Sequence, residues 1–132
     1  FVHAAQPAAF SVTQTSEAGA VYSAEEIAEL SAIAKGAGLG VHMDGARFAN
    51  AMAALNAGNK TVSPADLTWR AGVDVLSFGA TKNGALGAEA VILFRTDLAE
   101  EMSFRHKRAG QLASKMRYIS AQLAAYIEDE LD

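Results

Sequence analysis

The sequence has no cysteine among its 132 residues. That absence excludes a disulfide scaffold, a thiolate nucleophile and any cysteine-ligated zinc or iron–sulfur centre. There is no excess of positive charge: 11 lysines and arginines stand against 15 aspartates and glutamates, a net charge of −4. This gives no electrostatic reason to expect a nucleic-acid partner. No apolar run approaches the roughly 18–20 residues of a membrane span, so a soluble chain with no membrane partner is expected. No Pro- or Ser-rich linker, repeat or low-complexity tract divides the chain. The opening Phe1-Val2-His3-Ala4-Ala5-Gln6-Pro7 lacks both an initiator methionine and the basic-then-apolar pattern of a signal peptide. It reads as a chain cut from something longer. The lack of cysteine and of a leader points to the cytoplasm. No histidine or carboxylate spacing resembles a metal site, so no metal is expected.

What is present is apolar content: 51% of residues are hydrophobic, enough for a single domain to bury a core. Residues 9–14 read as a strand. Ser23-Ala24-Glu25-Glu26 starts a helix, because a Ser cap with Glu three residues on forms a capping box. Ile27, Leu30, Ile33 and Ala34 then recur at helical spacing, and Gly36 and Gly38 end the helix. Leu39 to Met43 is a short strand, and an Ala-rich helix runs from near Arg47 to about Asn56. Ser63-Pro64-Ala65-Asp66 is a second helix start, with a Ser cap and Pro in the first turn. Residues 73–78 and 88–94 are strands. Asp97 opens a helix, and a long helix is predicted from about Gly110 to Leu131. Strands alternating with helices imply an α/β fold with a mostly parallel sheet flanked by helices. The two adjacent strands around Lys82 imply one antiparallel member.

In such sheets ligands bind at the carboxyl ends of strands. Two segments fall there. In His42-Met43-Asp44-Gly45-Ala46-Arg47, an acid ends a strand and an arginine follows three residues later. Arg47 offers a planar fork for carboxylate or phosphate; the plainer alternative is a helix cap and a surface arginine. In Ser77-Phe78-Gly79-Ala80-Thr81-Lys82-Asn83-Gly84, the one lysine between Lys60 and Lys107 lies among small residues that let a flat ligand approach. A desolvated lysine there is a nucleophile toward carbonyl carbon; the alternative is an ordinary solvated loop lysine. Alternation turns His42 to the same sheet face as Asp44, either supporting it or packing as a core histidine. His106 is expected in solvent, and Trp69 and the methionines in the core.

Together these two segments resemble the threonine aldolase family, in the β-eliminating-lyase group of pyridoxal-phosphate enzymes with the aspartate-aminotransferase-like fold. Thr13-Gln14-Thr15-Ser16-Glu17, Gly19, Val21-Tyr22 and Glu25-Glu26-Ile27 are similar to the preceding segment of that family. Ala109-Gly110-Gln111-Leu112, Ser114-Lys115 and Met116-Arg117 are similar to the following one. The resemblance runs over essentially the whole chain. It implies part of the large domain of a fold-type I enzyme, with pyridoxal 5'-phosphate as cofactor and an amino acid as substrate. Residues 1–132 would be a single partial cofactor-anchoring domain, with the family's upstream and downstream parts absent. Lys82 would be the catalytic residue that bonds the cofactor aldehyde, Asp44 would pair with the ring nitrogen, and Arg47 would bind the substrate α-carboxylate. Thr81 and Ser77 would offer a hydroxyl to the cofactor phosphate. Of Lys107, Arg108 and Arg117, one would reach that phosphate or a partner subunit's site, unless the cluster is a solvated helix face.

The family's ring-stacking histidine lies upstream of residue 1, and its second histidine falls near Ser16-Glu17, where this sequence has none. The general base is therefore unassigned. The reaction expected is cleavage of L-threonine or L-allo-threonine to glycine and acetaldehyde by a homodimer or homotetramer. Isolated, these 132 residues are expected to bind cofactor poorly and turn over nothing. One alternative is another β-elimination or racemisation on the same three residues; a non-enzymatic alternative is a module that only folds or assembles.

Overall fold

The computed structural model describes residues 4–58 and 61–128. Four strands, β1 (Ala9–Thr13), β2 (Gly40–Gly45), β3 (Val75–Gly79) and β4 (Glu89–Leu93), form one sheet in the order β1-β2-β3-β4. The first three run parallel and β4 runs antiparallel to β3, as the strand–helix alternation predicts. Helices α1 (Ala24–Gly36) and α2 (Phe48–Leu55) lie in the two crossovers, and α3 (Ala99–Arg108) and α4 (Met116–Glu128) follow β4. His3 and the last part of the predicted terminal helix, residues 129–131, lie outside the described residues. No described helix is long and apolar enough to cross a membrane.

The sheet's two faces differ because side chains alternate along each strand. Register places Val12, Met43 and Leu76 in one row, with Val41 on the same face. These residues join Ile27 and Ala34 of α1, Phe48 of α2 and the Leu67–Val73 segment in one buried cluster. The opposite face carries Ser11, Thr13, His42, Asp44 and Ser77, none of them buried. The α1 capping box forms as predicted: Ser23 N–H donates to Glu26 Oε2 at 2.7 Å, and Glu26 N–H donates to Ser23 Oγ at 3.2 Å. The buried stripe of α1 is Ile27, Ser31 and Ala34. Ile33, placed by its spacing on that stripe, is instead 72% exposed.

Four expectations are corrected. The segment after Ser63 caps but does not become an α-helix. Ser63 Oγ and its N–H both donate to Asp66 Oδ2, at 2.6 and 3.0 Å. Beyond that cap the amides bond at mixed spacing, Thr68 to Ala65 O, Arg70 to Ala65 O and Val73 to Thr68 O. The Thr68 hydroxyl donates to the Pro64 carbonyl at 2.7 Å, and only a 3-10 turn, Trp69–Ala71, forms. Second, Trp69 is not core: it is 53% exposed, with the Arg70 guanidinium 5.0 Å from its ring centre. Third, the last helix starts at Met116 rather than near Gly110. Gly110 has φ +73°, and the amides of Gly110 and Gln111 bond back to Lys107 O and His106 O. That pattern terminates α3, and the left-handed backbone suits glycine. Fourth, His106 is half-buried rather than exposed.

Asp74 ties the amino ends of the strands together. Its Oδ2 accepts the Val41 N–H at 2.8 Å and its Oδ1 lies 3.2 Å from Lys35 Nζ. Its backbone donates to Val41 O and accepts from Phe94 and Arg95. Replacing Asp74 with Ala leaves the Val41 amide unpaired and is expected to cost about 1–3 kcal/mol. Lys35→Met, which removes only a half-exposed cation, is expected to cost under about 1 kcal/mol. Urea unfolding of the two variants checks the order.

The Asp66 carboxyl is lowered from 3.8 to about 2, first by the Ser63 hydroxyl and then by Arg70. A depressed acid stabilises the fold above its unfolded value, and that contribution disappears as pH falls through the folded value. The urea midpoints of the protein and of Asp66→Asn should therefore differ above pH about 4 and converge as pH falls toward about 2. Midpoints measured across that range test it.

Candidate active site

Asp44 is the fifth residue of β2, and its Oδ1 accepts the Ala46 N–H at 3.0 Å. That bond shapes the turn leading to Arg47, the N-cap of α2. Oδ2 of Asp44 accepts no hydrogen bond among the described residues. Arg47 is one-third exposed, and its Nη1 lies 3.5 Å from Glu17 Oε1. Glu17 comes from a compact loop after β1. There the Gly19 amide donates to Ser16 O and the Ala20 amide to Ser16 Oγ. Buried Gln14 anchors that loop: its side-chain amide donates to Tyr22 O at 2.7 Å and accepts the Tyr22 N–H at 3.1 Å.

Lys82 sits in the 3-10 turn Thr81–Asn83, just beyond β3. It is exposed and has no hydrogen-bond or ion-pair partner among the described residues. The expected desolvation of this lysine is therefore not supplied by the described residues. The turn itself is well held. The Ala80 amide donates to Ala88 O at 3.0 Å, and the Ala88 amide donates to Thr81 Oγ1 at 3.0 Å. From α4, Tyr126 pairs with the Asn83 side chain, and Gln122 Oε1 accepts the Gly87 N–H at 3.2 Å.

The two turns meet. A Cβ built on Gly79 would lie 2.9 Å from Ala46 Cα and 3.3 Å from Ala46 O. Only glycine at 79 lets the end of β3, which leads to Lys82, touch the turn between Asp44 and Arg47. Register sets Ser77 directly beside Asp44 on the neighbouring strand. The structure thus gathers Asp44, Arg47, Ser77, Thr81 and Lys82 around the carboxyl ends of β2 and β3.

The two hydroxyls already have partners. Ser77 Oγ is hydrogen-bonded to His42 Nε2 at 2.9 Å, and Thr81 Oγ1 is bonded to the Ala88 backbone. His42 is neither a core residue nor bonded to Asp44: its Nδ1 meets Ser11 Oγ at 2.8 Å. The late basic residues stand apart in their pairings, Arg108 with Glu101 and Arg117 over the Tyr118 ring at 4.7 Å. Sequence reading passed over Ser11, Gln122 and Tyr126, and took Glu17 only as part of a resemblance. Each acts across a long sequence separation that no local pattern reports. No group of three or more His, Asp or Glu able to hold a metal occurs among the described residues.

A planar cofactor carrying an aldehyde and a basic ring nitrogen suits this donor set. Lys82 offers an unpaired primary amine, and Asp44 an open carboxylate oxygen on the adjacent strand. An apolar groove of about 990 Å³, bounded by Phe48, Met52, Trp69, Phe78, Ile92 and Ile127, opens elsewhere and includes none of these polar residues.

Gly79→Ala should destabilise the chain by about 1–3 kcal/mol, because backbone atoms cannot move aside cheaply. Gly87→Ala, with nothing within 4 Å of its added carbon, should cost well under that. Paired denaturation curves compare them.

The family model described as Beta-eliminating lyase matches residues 1–129. A low specificity L-threonine aldolase of Pseudomonas sp. (strain NCIMB 10558) is 48% identical over 128 residues, 97% of this chain and 36% of that protein. One from Pseudomonas aeruginosa is 48% identical over 129 residues, 98% of this chain and 36% of its own length. The chain therefore spans about a third of the curated relatives it matches. A solved Leishmania major threonine aldolase superposes on 95% of this chain and 35% of its own, with a TM-score of 0.81 and 28% identity.

Proposed function

The chain belongs to the beta-eliminating lyase family, and from that premise we propose that it is the cofactor-anchoring part of a pyridoxal-phosphate lyase that cleaves L-threonine or L-allo-threonine to glycine and acetaldehyde. The observation that carries the reading is the Gly79–Ala46 contact, which brings the Lys82 turn against the Asp44–Arg47 turn. The names of the Pseudomonas and Leishmania relatives support the substrate class.

In this reading Lys82 and Asp44 would hold the cofactor, the amine at its aldehyde and the open carboxylate oxygen at its ring nitrogen. When bound, the cofactor supplies an electron sink for the pair released as the Cα–Cβ bond breaks. Arg47 holds the substrate α-carboxylate through its two-pronged guanidinium and so fixes the orientation of that bond. Glu17 occupies Arg47 at 3.5 Å, so an incoming carboxylate takes the place of one already there. The site works in the cytoplasm as part of a homo-oligomer, with the rest of the full-length chain completing it.

In the full-length protein, Lys82→Ala should abolish both the visible absorbance of the lysine-bound cofactor and glycine formation. Arg47→Ala should raise KM for threonine by about 10–100-fold, the loss of a bidentate charge-assisted pair. Threonine, phenylserine, serine and alanine are assayed side by side. Aldehyde release from the first two alone supports the aldolase reading, and turnover that persists in Lys82→Ala overturns it.

A further inference from the structure

Ser11, His42 and Ser77 come from three successive parallel strands and are hydrogen-bonded in series, at 2.8 and 2.9 Å, on the sheet face that also carries Asp44. The bonds do not run straight across the sheet. Register sets His42 beside Ser11 and Val75, whereas Ser77 is the direct neighbour of Asp44. The imidazole therefore reaches diagonally forward to a hydroxyl that sits in the Asp44 row. Neighbouring strands lie about 4.8 Å apart, so a serine hydroxyl beside a carboxylate is within turning distance of it. A hydroxyl has one proton to donate, and an ionised carboxylate is the stronger acceptor. Ser77 Oγ nevertheless bonds to His42 Nε2, and Oδ2 of Asp44 accepts nothing among the described residues. With the ring proton assigned to Nδ1, which then donates to Ser11 Oγ, Nε2 is the acceptor that takes the Ser77 proton. Thr13, flanking Asp44 on the other side, has no side-chain bond to it.

We propose that His42 is a positioning residue that holds the Ser77 hydroxyl away from Asp44 and so keeps one carboxylate oxygen open for a protonated ring nitrogen of the cofactor. The inference rests on the proposed cofactor-binding role of Asp44. The bond to Ser11 fixes the imidazole ring in its plane, and the bond to Ser77 does the work at the site. Without the second bond, Ser77 turns onto Asp44 and competes with the cofactor for it.

The two nitrogens of the ring make the idea separable from simple cross-strand stapling. An asparagine amide reaches about as far as Nδ1 and keeps the Ser11 contact; a glutamine amide reaches about as far as Nε2 and keeps the Ser77 contact. In the full-length protein, pyridoxal 5'-phosphate is titrated by visible absorbance against the unaltered protein, His42→Asn, His42→Gln and His42→Asn with Ser77→Ala. His42→Asn is expected to weaken cofactor binding about tenfold, the scale of one hydrogen bond to a charged group. His42→Gln should stay within about threefold. Removing the competing hydroxyl in the double variant should recover at least half of the His42→Asn loss on a logarithmic scale. Equal losses in Asn and Gln, a milder effect of Asn, or no recovery in the double variant overturns the inference while leaving the proposed function standing. Failure of the unaltered protein to bind pyridoxal 5'-phosphate overturns both.

Discussion

The carboxylate of Asp74 is the constraint on which the sheet depends. One buried side chain and its own peptide group reach the start of β2, the end of β4 and the last turn of α1. A buried acid at a strand end is costly unless it is paired and hydrogen-bonded, and here both oxygens are used. All of these bonds lie at the amino ends of the parallel strands. The Asp44, Arg47 and Lys82 segments lie at the other ends, where a parallel sheet opens a crevice for ligands. The Asp74 anchor and the candidate site thus lie at opposite ends of β2 and β3. Asp44, Arg47, Ser77, Thr81 and Lys82 remain half-buried or exposed at the site end, whereas Asp74 at the other end is buried and committed to its partners.

How much of this was legible from residue order depended on range. The capping box of Ser23 and Glu26 links residues three positions apart, so local chemistry decides it. The same kind of signal at Ser63 was read correctly as a cap and wrongly as an α-helix, because Thr68 and the burial of Leu67 redirect the amides that follow. Gly110 was read as a helix start and is a helix end, since its left-handed backbone completes α3. The sheet followed from the order of elements, including the antiparallel β4. The carboxyl-end location of Asp44 and Lys82 was legible for the same reason.

The support around the site was not legible. Ser11 meets His42 across 31 residues, His42 meets Ser77 across 35, and Asn83 meets Tyr126 across 43. Such contacts exist only once strand register and helix docking are known, and neither is encoded in a window of neighbouring residues. His42 illustrates the limit. Alternation placed it on the Asp44 face, but which neighbours its two nitrogens would find depended on the diagonal offset between β2 and β3.

The segment from Ala80 to Ala88 is an arch with both feet clamped, at the Ala80 amide and at the Thr81 hydroxyl. Lys82 stands at the foot of the arch, and Leu86, 95% exposed, stands near its crown. An exchange of side chain at Leu86 recolours the loop without shifting the footing. Such a change therefore alters what approaches the crevice from outside, while the lysine keeps its address on the sheet.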